Sequence, residues 1–348
     1  MKLLVSALEP SANLHLKALK KELSDDIEFV GIFDKSMGDP IVDLGEVSIM
    51  GFVEAIKKYF FFKELSEKML DLAKEADKVL LMDASGFNLP LAKKLRKLYP
   101  QKEIIYYILP QAWAWKQKRI PVLEKTITHL CSILPFEQEY YSENAPIRYV
   151  GHPLLDEISE YKQTLTDNGI VSFLPGSRKS EIQRLMPIFR ELVKKIDKKA
   201  YVVIPAHFSD EFIEEVYGDL SEFEIKNDMH KALYESDFAF VCSGTATLET
   251  ALIGVPFVLA YKANSLDYMI AKQFVKLKYI GLGNIMFDKF LSRPLYKEFI
   301  QDDVTVENLY QAYLDTDRDE FLKDAKSLRG YLAYGSSENV AKIIEGKK

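Results

Sequence analysis

Cysteine is nearly absent: two in 348 residues, Cys131 and Cys242, each beside an apolar run. That excludes a disulfide framework and a thiolate metal cluster, and suits a reducing compartment. Histidine is scarce too, at five, and no set of them has ligand spacing, so neither a metal nor another cofactor is expected. There is no large excess of charge: Lys and Arg number 46 against 52 Asp and Glu, a net −6, which argues against nucleic acid as a partner. No apolar run approaches the roughly 20 residues that cross a bilayer. The opening MKLLVSAL stops at Glu9 and Pro10, too early for a secretory segment, so a cytoplasmic location is expected. Neither G-x-x-x-x-G-K-[ST] nor G-x-G-x-x-G after a strand occurs, which disfavours triphosphate hydrolysis and dinucleotide binding.

What is there is a steady alternation of apolar runs with helix-period segments. KLLVSAL, IEFVGIF, KVLLMDA, EIIYYIL, THLCSIL and IRYVG read as strands in the first half. IVSFLPG, AYVVIPA, FEIK, DFAFVCS and VPFVLAY follow in the second. Near-continuous apolar strands separated by helices imply parallel sheets covered on both faces. Eleven strands are many for one open sheet, and the length suits two domains. The expected class is α/β: two doubly wound Rossmann-like domains facing a cleft, split within GHPLLDEISEYKQTLTDNG. Residues 1–155 form the first, 156–304 the second, and 305–348 a helical tail.

In such sheets ligands sit beyond the carboxyl ends of the strands. Two strand ends in the second half suit phosphate. LPGSR places Gly176, Ser177 and Arg178 before a helix, and CSGTATLE places Ser243, Gly244 and Thr245 at the start of another. Free N–H groups and the helix dipole favour an anion there. The bland alternative makes both serines N-caps. Two such loops in one domain, one carrying Arg, point instead to a diphosphate. Glu249, in the early turns of the second helix, suits sugar hydroxyls.

In the first half, Asp83 ends a strand and Asn88 follows near a helix start. Asp83 suits a general base, or equally a turn-former. Glu9, Ser11 and Asn13 end the first strand; were the two strands neighbours, Glu9 and Asp83 would share a rim. Trp113 and Trp115 precede Lys116, Lys118 and Arg119, which reads as an aromatic core loop with a basic turn. His152 lies near the domain junction, where a lone His is more often structural. Residues 50–70, MGFVEAIKKYFFFKELSEKML, carry Phe60, Phe61 and Phe62 beside Lys57 and Lys58. Such a face suits an acyl chain or a membrane surface, or a helix packed between sheet and partner subunit.

Taken in order, MGFVEAI, DASGFN, LPQAWAWKQKR, LPFEQEYY, YVGHPLLDEI, LPGSRKSEI, SGTATLE, KYIGLGNI and KEFIQ resemble the lipid-A-disaccharide synthases, GT-B glycosyltransferases of family 19. The first loop departs: the family's Gly-Glu-x-Ser-Gly-Asp is Leu8-Glu9-Pro10-Ser11-Ala12-Asn13 here, so the family Asp is Asn13. The resemblance implies transfer of diacylglucosamine from UDP-2,3-diacylglucosamine to 2,3-diacylglucosamine 1-phosphate, with inversion. The products would be the β-1,6-linked disaccharide 1-phosphate and UDP. It also implies Asp83 as base with Glu9 in reserve, and Asn284, Glu298 and Gln301 along the nucleotide site. Ser11, Asn88, Trp115 and His152 fall on the acceptor side of the cleft. Phe60, Phe61 and Phe62, with Lys57 and Lys58, would touch the inner face of the inner membrane as a peripheral contact. Analogy with this fold returns 305–348 to the first domain, and a homodimer is left open. Competing readings are another UDP-sugar enzyme of the same fold, an epimerase or peptidoglycan transferase, and a non-catalytic lipid-binding module.

Overall fold

The structure, a computed structural model, describes residues 1–42, 55–263 and 278–347, with the side chains of 55–58 and of Trp115 outside the described residues. The chain divides into two units, one made of Met1–Glu157 and Leu332–Lys348, the other of Ile158–Tyr331.

The first unit is a six-stranded parallel sheet in the order β2-β1-β3-β4-β5-β6. Its strands are β1 (Lys2–Ala7), β2 (Glu28–Ile32), β3 (Lys78–Met82), β4 (Glu103–Tyr107), β5 (His129–Ser132) and β6 (Ile147–Tyr149). The central strands are apolar on both faces because helices cover both. On one face, Ala12, Leu16 and Leu19 of helix Pro10–Glu22 meet Val340, Ala341 and Ile344 of helix Ser336–Glu345. On the other lie Leu65, Met69 and Ala73 of helix Ala55–Glu75 and Leu91 and Leu95 of helix Ser85–Leu98. These spacings are those of one helix face.

The second unit repeats the plan: β7 (Ile170–Leu174), β8 (Lys199–Val203), β9 (Glu224–Lys226), β10 (Phe238–Cys242), β11 (Phe257–Tyr261) and β12 (Glu298–Ile300). Their order is β12-β11-β10-β7-β8-β9, again all parallel. Phe173, Phe189 and Phe240 form its aromatic centre, with the Phe173 and Phe240 rings stacked at 5.2 Å.

The division between Glu157 and Ile158 falls within the segment GHPLLDEISEYKQTLTDNG. Strand β12 was missed, since three residues carry no periodic signal. The tail does not return as a block: Leu309 and Ala312 of helix Val306–Asp315 sit in the second core, and Arg329 donates to the Leu252 carbonyl. Only the segment from Leu332 joins the first sheet.

Each sheet has one point where the strand order reverses, between β1 and β3 in the first and between β7 and β10 in the second. Ligands of doubly wound sheets bind beyond the strand ends at such points. The loops carrying Glu9, Asp83, Arg178 and Ser243 all lie there.

Candidate active site

In the second unit the loops after β7 and β10 line one pocket of about 470 Å³, with Gly176, Ser177, Arg178, Ser243, Gly244, Thr245 and Glu249 all on its wall. Neither serine is an N-cap. Helix Lys179–Val193 begins after Arg178, and helix Thr245–Ile253 begins after Gly244, which has no side chain to cap with. The first N–H groups of the latter helix are thus left for a ligand. Gly176 has φ +103°, and a Cβ there would lie 2.6 Å from Glu181 Oε2, so glycine is required. Glu181 is buried and holds Arg178 Nη1 at 2.9 Å. The guanidinium remains mostly exposed, its other N–H groups available to an anion.

Asn284, Glu298 and Gln301 are not among the residues lining this pocket. Asn284 is fully buried: its amide donates to Tyr296 O and Glu298 Oε1 and accepts from the N–H groups of Leu295 and Tyr296. Glu298 also accepts from the N–H groups of Ile280 and Gly281, while burial pushes its pKa up. Gln301 pairs with both backbone groups of Ala263. Asn284 and Glu298 thus hold helix Leu282–Leu291 to the edge strand β12, and Gln301 ties the ends of β11 and β12 together.

In the first unit β1 and β3 are neighbours, Ala7 opposite Met82, so Glu9 and Asp83 end adjacent strands. Asp83 and Ala84 both have left-handed φ, +46° and +39°, a strain of about 1 kcal/mol or more each. Asn88 Nδ2 and Tyr106 Oη both donate to the Asp83 carbonyl and hold this turn. Asn88 is wholly buried, bonded also to Ser6 and Met82. It therefore shapes the turn that carries Asp83. Burial raises the Asp83 pKa, opposed by the Ala84 N–H and by His15. His15 was missed. It lies in helix Pro10–Glu22 with Nδ1 on Glu157, and its only signal is its place six residues after Glu9.

Asn13 explains the altered first loop. Its buried Nδ2 donates to Ala7 O and Glu9 O, and its Oδ1 accepts from Asp34 N–H. An amide suits this site because a carboxylate could not donate to two carbonyls. Asn13→Asp is expected to cost about 2–3 kcal/mol, read as a lower denaturation midpoint. An unchanged midpoint would show that those bonds contribute nothing.

His152 is buried, 3% exposed, and burial pushes its pKa down to about 3. Its backbone N–H donates to Ala333 O, and Nδ1 accepts weakly from Leu154 N–H. Among the described residues its buried Nε2 has no hydrogen-bond partner. Ser11 is exposed at the helix start. Trp113 packs edge-on against Phe136 with its Nε1 buried and unbonded. The Trp115 side chain lies outside the described residues.

The aromatic helix differs from expectation. Phe60 is 61% exposed and Tyr59 65%, whereas Phe61 and Phe62 pack against the core, Phe62 tilted on Phe87. The apolar surface is therefore the pair Tyr59–Phe60, not three Phe in a row, since helical rotation turns their neighbours inward. Lys57 and Lys58 lie outside the described side chains. Among the described residues no helix is long and apolar enough to cross a membrane.

Comparison with known proteins bears on these sites. A family described as lipid-A-disaccharide synthetase matches residues 3–330. The lipid-A-disaccharide synthase of Helicobacter acinonychis (strain Sheeba) is 46% identical over 355 residues, covering 98% of this chain and 97% of that one. That of Campylobacter jejuni (strain RM1221) is 46% identical over 362, covering 98% of each. Among solved structures, the UDP-GlcNAc 2-epimerase of Neisseria meningitidis bound to UDP-GlcNAc superposes with TM-score 0.61 at 11% identity, covering 99% of both chains. Acinetobacter baumannii MurG gives 0.56 at 13%, covering 99% of both. At such identities these two speak for the GT-B fold alone.

Proposed function

Because the chain belongs to the lipid-A-disaccharide synthetase family, we propose that it transfers 2,3-diacylglucosamine from its UDP carrier to 2,3-diacylglucosamine 1-phosphate. The products are the β-1,6-linked disaccharide 1-phosphate and UDP. One observation carries the reading: the two strand-end turns, Gly176–Arg178 and Ser243–Thr245, line a single pocket at the switch point of the second sheet. Backbone N–H groups at Gly244 and beyond, with Arg178, supply the positive potential that offsets charge growing on the departing diphosphate. Asp83 accepts the proton of the acceptor 6-hydroxyl as it attacks the anomeric carbon from the side opposite UDP. A carboxylate with a raised pKa is the stronger base for that step. Glu9, on the adjacent strand end, is the second carboxylate of this rim. The direct test incubates the protein with both lipid sugars and follows UDP and disaccharide together. Failure to form both sinks the proposal, and UDP release without disaccharide would instead indicate the epimerase-like alternative.

The acyl chains of both substrates need a lipid surface, and the exposed Tyr59–Phe60 pair offers an apolar surface for peripheral contact. Replacing both by Ser is expected to weaken partitioning onto anionic vesicles by about a hundredfold or more, at about 1.5–3 kcal/mol per buried aromatic. Equal sedimentation of the variant would remove this helix from membrane contact.

A further inference from the structure

We propose that His230 is a positioning residue that aims the Glu249 carboxylate at the two vicinal hydroxyls of a ribose, so that the pocket selects ribonucleotides. The proposal rests on the UDP-donor reading above and adds a residue to it. Glu249 stands one helical turn, about 5–6 Å, beyond the anion-binding start of helix Thr245–Ile253. A carboxylate there cannot serve a diphosphate, and repels it. What it can do is accept hydrogen bonds from neutral hydroxyls, and a vicinal diol matches its two oxygens. Its Oε2 lies 2.6 Å from Nε2 of His230, on the adjacent helix Met229–Glu235, whose Met229 shares the pocket wall. With Glu249 ionised, Nε2 carries the proton of this bond. Among the described residues, the other oxygen, Oε1, has no hydrogen-bond partner.

The bond answers a specific problem. Glu249 sits beside unpaired N–H groups and a helix N-terminus, both of which attract a carboxylate. Untethered, its flexible side chain would swing toward the phosphate position and compete with the ligand. The imidazole removes that option and fixes one oxygen, leaving the second for the sugar. His230 thus acts through Glu249, not on the ligand.

Calorimetric titration of the full chain with UDP and with 2′,3′-dideoxy-UDP tests this. The wild type should prefer UDP. His230→Ala should weaken UDP by about five- to tenfold, the size of one well-placed hydrogen bond, and leave the dideoxy analogue unchanged. His230→Gln, whose amide can still donate, should recover part of the preference. Glu249→Ala should abolish it, with no further loss in the double variant. A wild type that prefers UDP alongside a His230→Ala variant with the same preference overturns the role of His230 alone. A wild type that does not bind UDP overturns the donor reading with it. Equal loss of both ligands in His230→Ala reduces the residue to general packing and also ends the proposal.

Discussion

Asp83→Asn should lower kcat by about 10²–10⁴-fold, the range of a positioned general base, while UDP binds as in the wild type. Asparagine is the informative replacement because Asp83 occupies a left-handed conformation that asparagine adopts more readily than alanine. The carbonyl that Asn88 and Tyr106 grip is unchanged by it, so the turn should survive. Calorimetry with UDP controls for folding. Since burial raises the Asp83 pKa above 3.8, the wild-type rate should fall as pH drops through that raised value, and the acid limb of kcat/KM should disappear in the variant. Turnover within fivefold of wild type would take Asp83 out of the proton transfer and leave Glu9 as the carboxylate to examine.

The second large effect concerns a carboxyl that takes no part in the proposed chemistry. Glu137 is 1% exposed, its Oε2 on Ser132 Oγ at 2.5 Å and its Oε1 without a partner. Burial pushes its pKa up to about 7 from 4.5. The folded protein therefore holds a proton that the unfolded chain releases above 4.5. The stabilisation from this group is complete below pH 4.5 and is lost as pH rises through about 7. Glu137→Gln should thus leave stability near wild type at pH 5 and raise it by roughly 2–3 kcal/mol at pH 8, seen as a higher midpoint in urea. His152 has the opposite sign, with a folded pKa near 3: its contribution is present above 6.5 and lost as pH falls. Comparing the two proteins at one pH cancels that slope. A gap of the same size at pH 5 and pH 8 would show that Glu137 does not change protonation on folding.

Much of this was legible in the residues, and the exceptions have physical causes. Strands such as KVLLM and FAFVC announce themselves because burial on both faces leaves no polar interruption. The two strand-end turns of the second unit were legible because glycine at a strand end followed by a helix is a backbone requirement, met at Gly176 and Gly244. Side-chain destinations were less so. Nothing in one dimension tells that Asn88, Asn284 and Gln301 each bond their amides to backbone groups nearby. Phe60 and Phe62 are identical as letters and differ only by helical rotation. His15 and His230 gain meaning only from carboxylates 142 and 19 positions away, contacts that no local pattern encodes.

The first unit needs helix Ser336–Glu345, whose Val340, Ala341 and Ile344 fill the same core as Leu3, Leu16 and Leu19. The second unit, Ile158–Tyr331, is uninterrupted. On a ribosome making about 5–20 residues per second, the earlier half would wait on the order of 10–40 s for its closing helix, with those leucines uncovered. The later half can mature first. Synthesis order and completion order are thus reversed, and a nascent-chain chaperone would find its target in the portion made earliest.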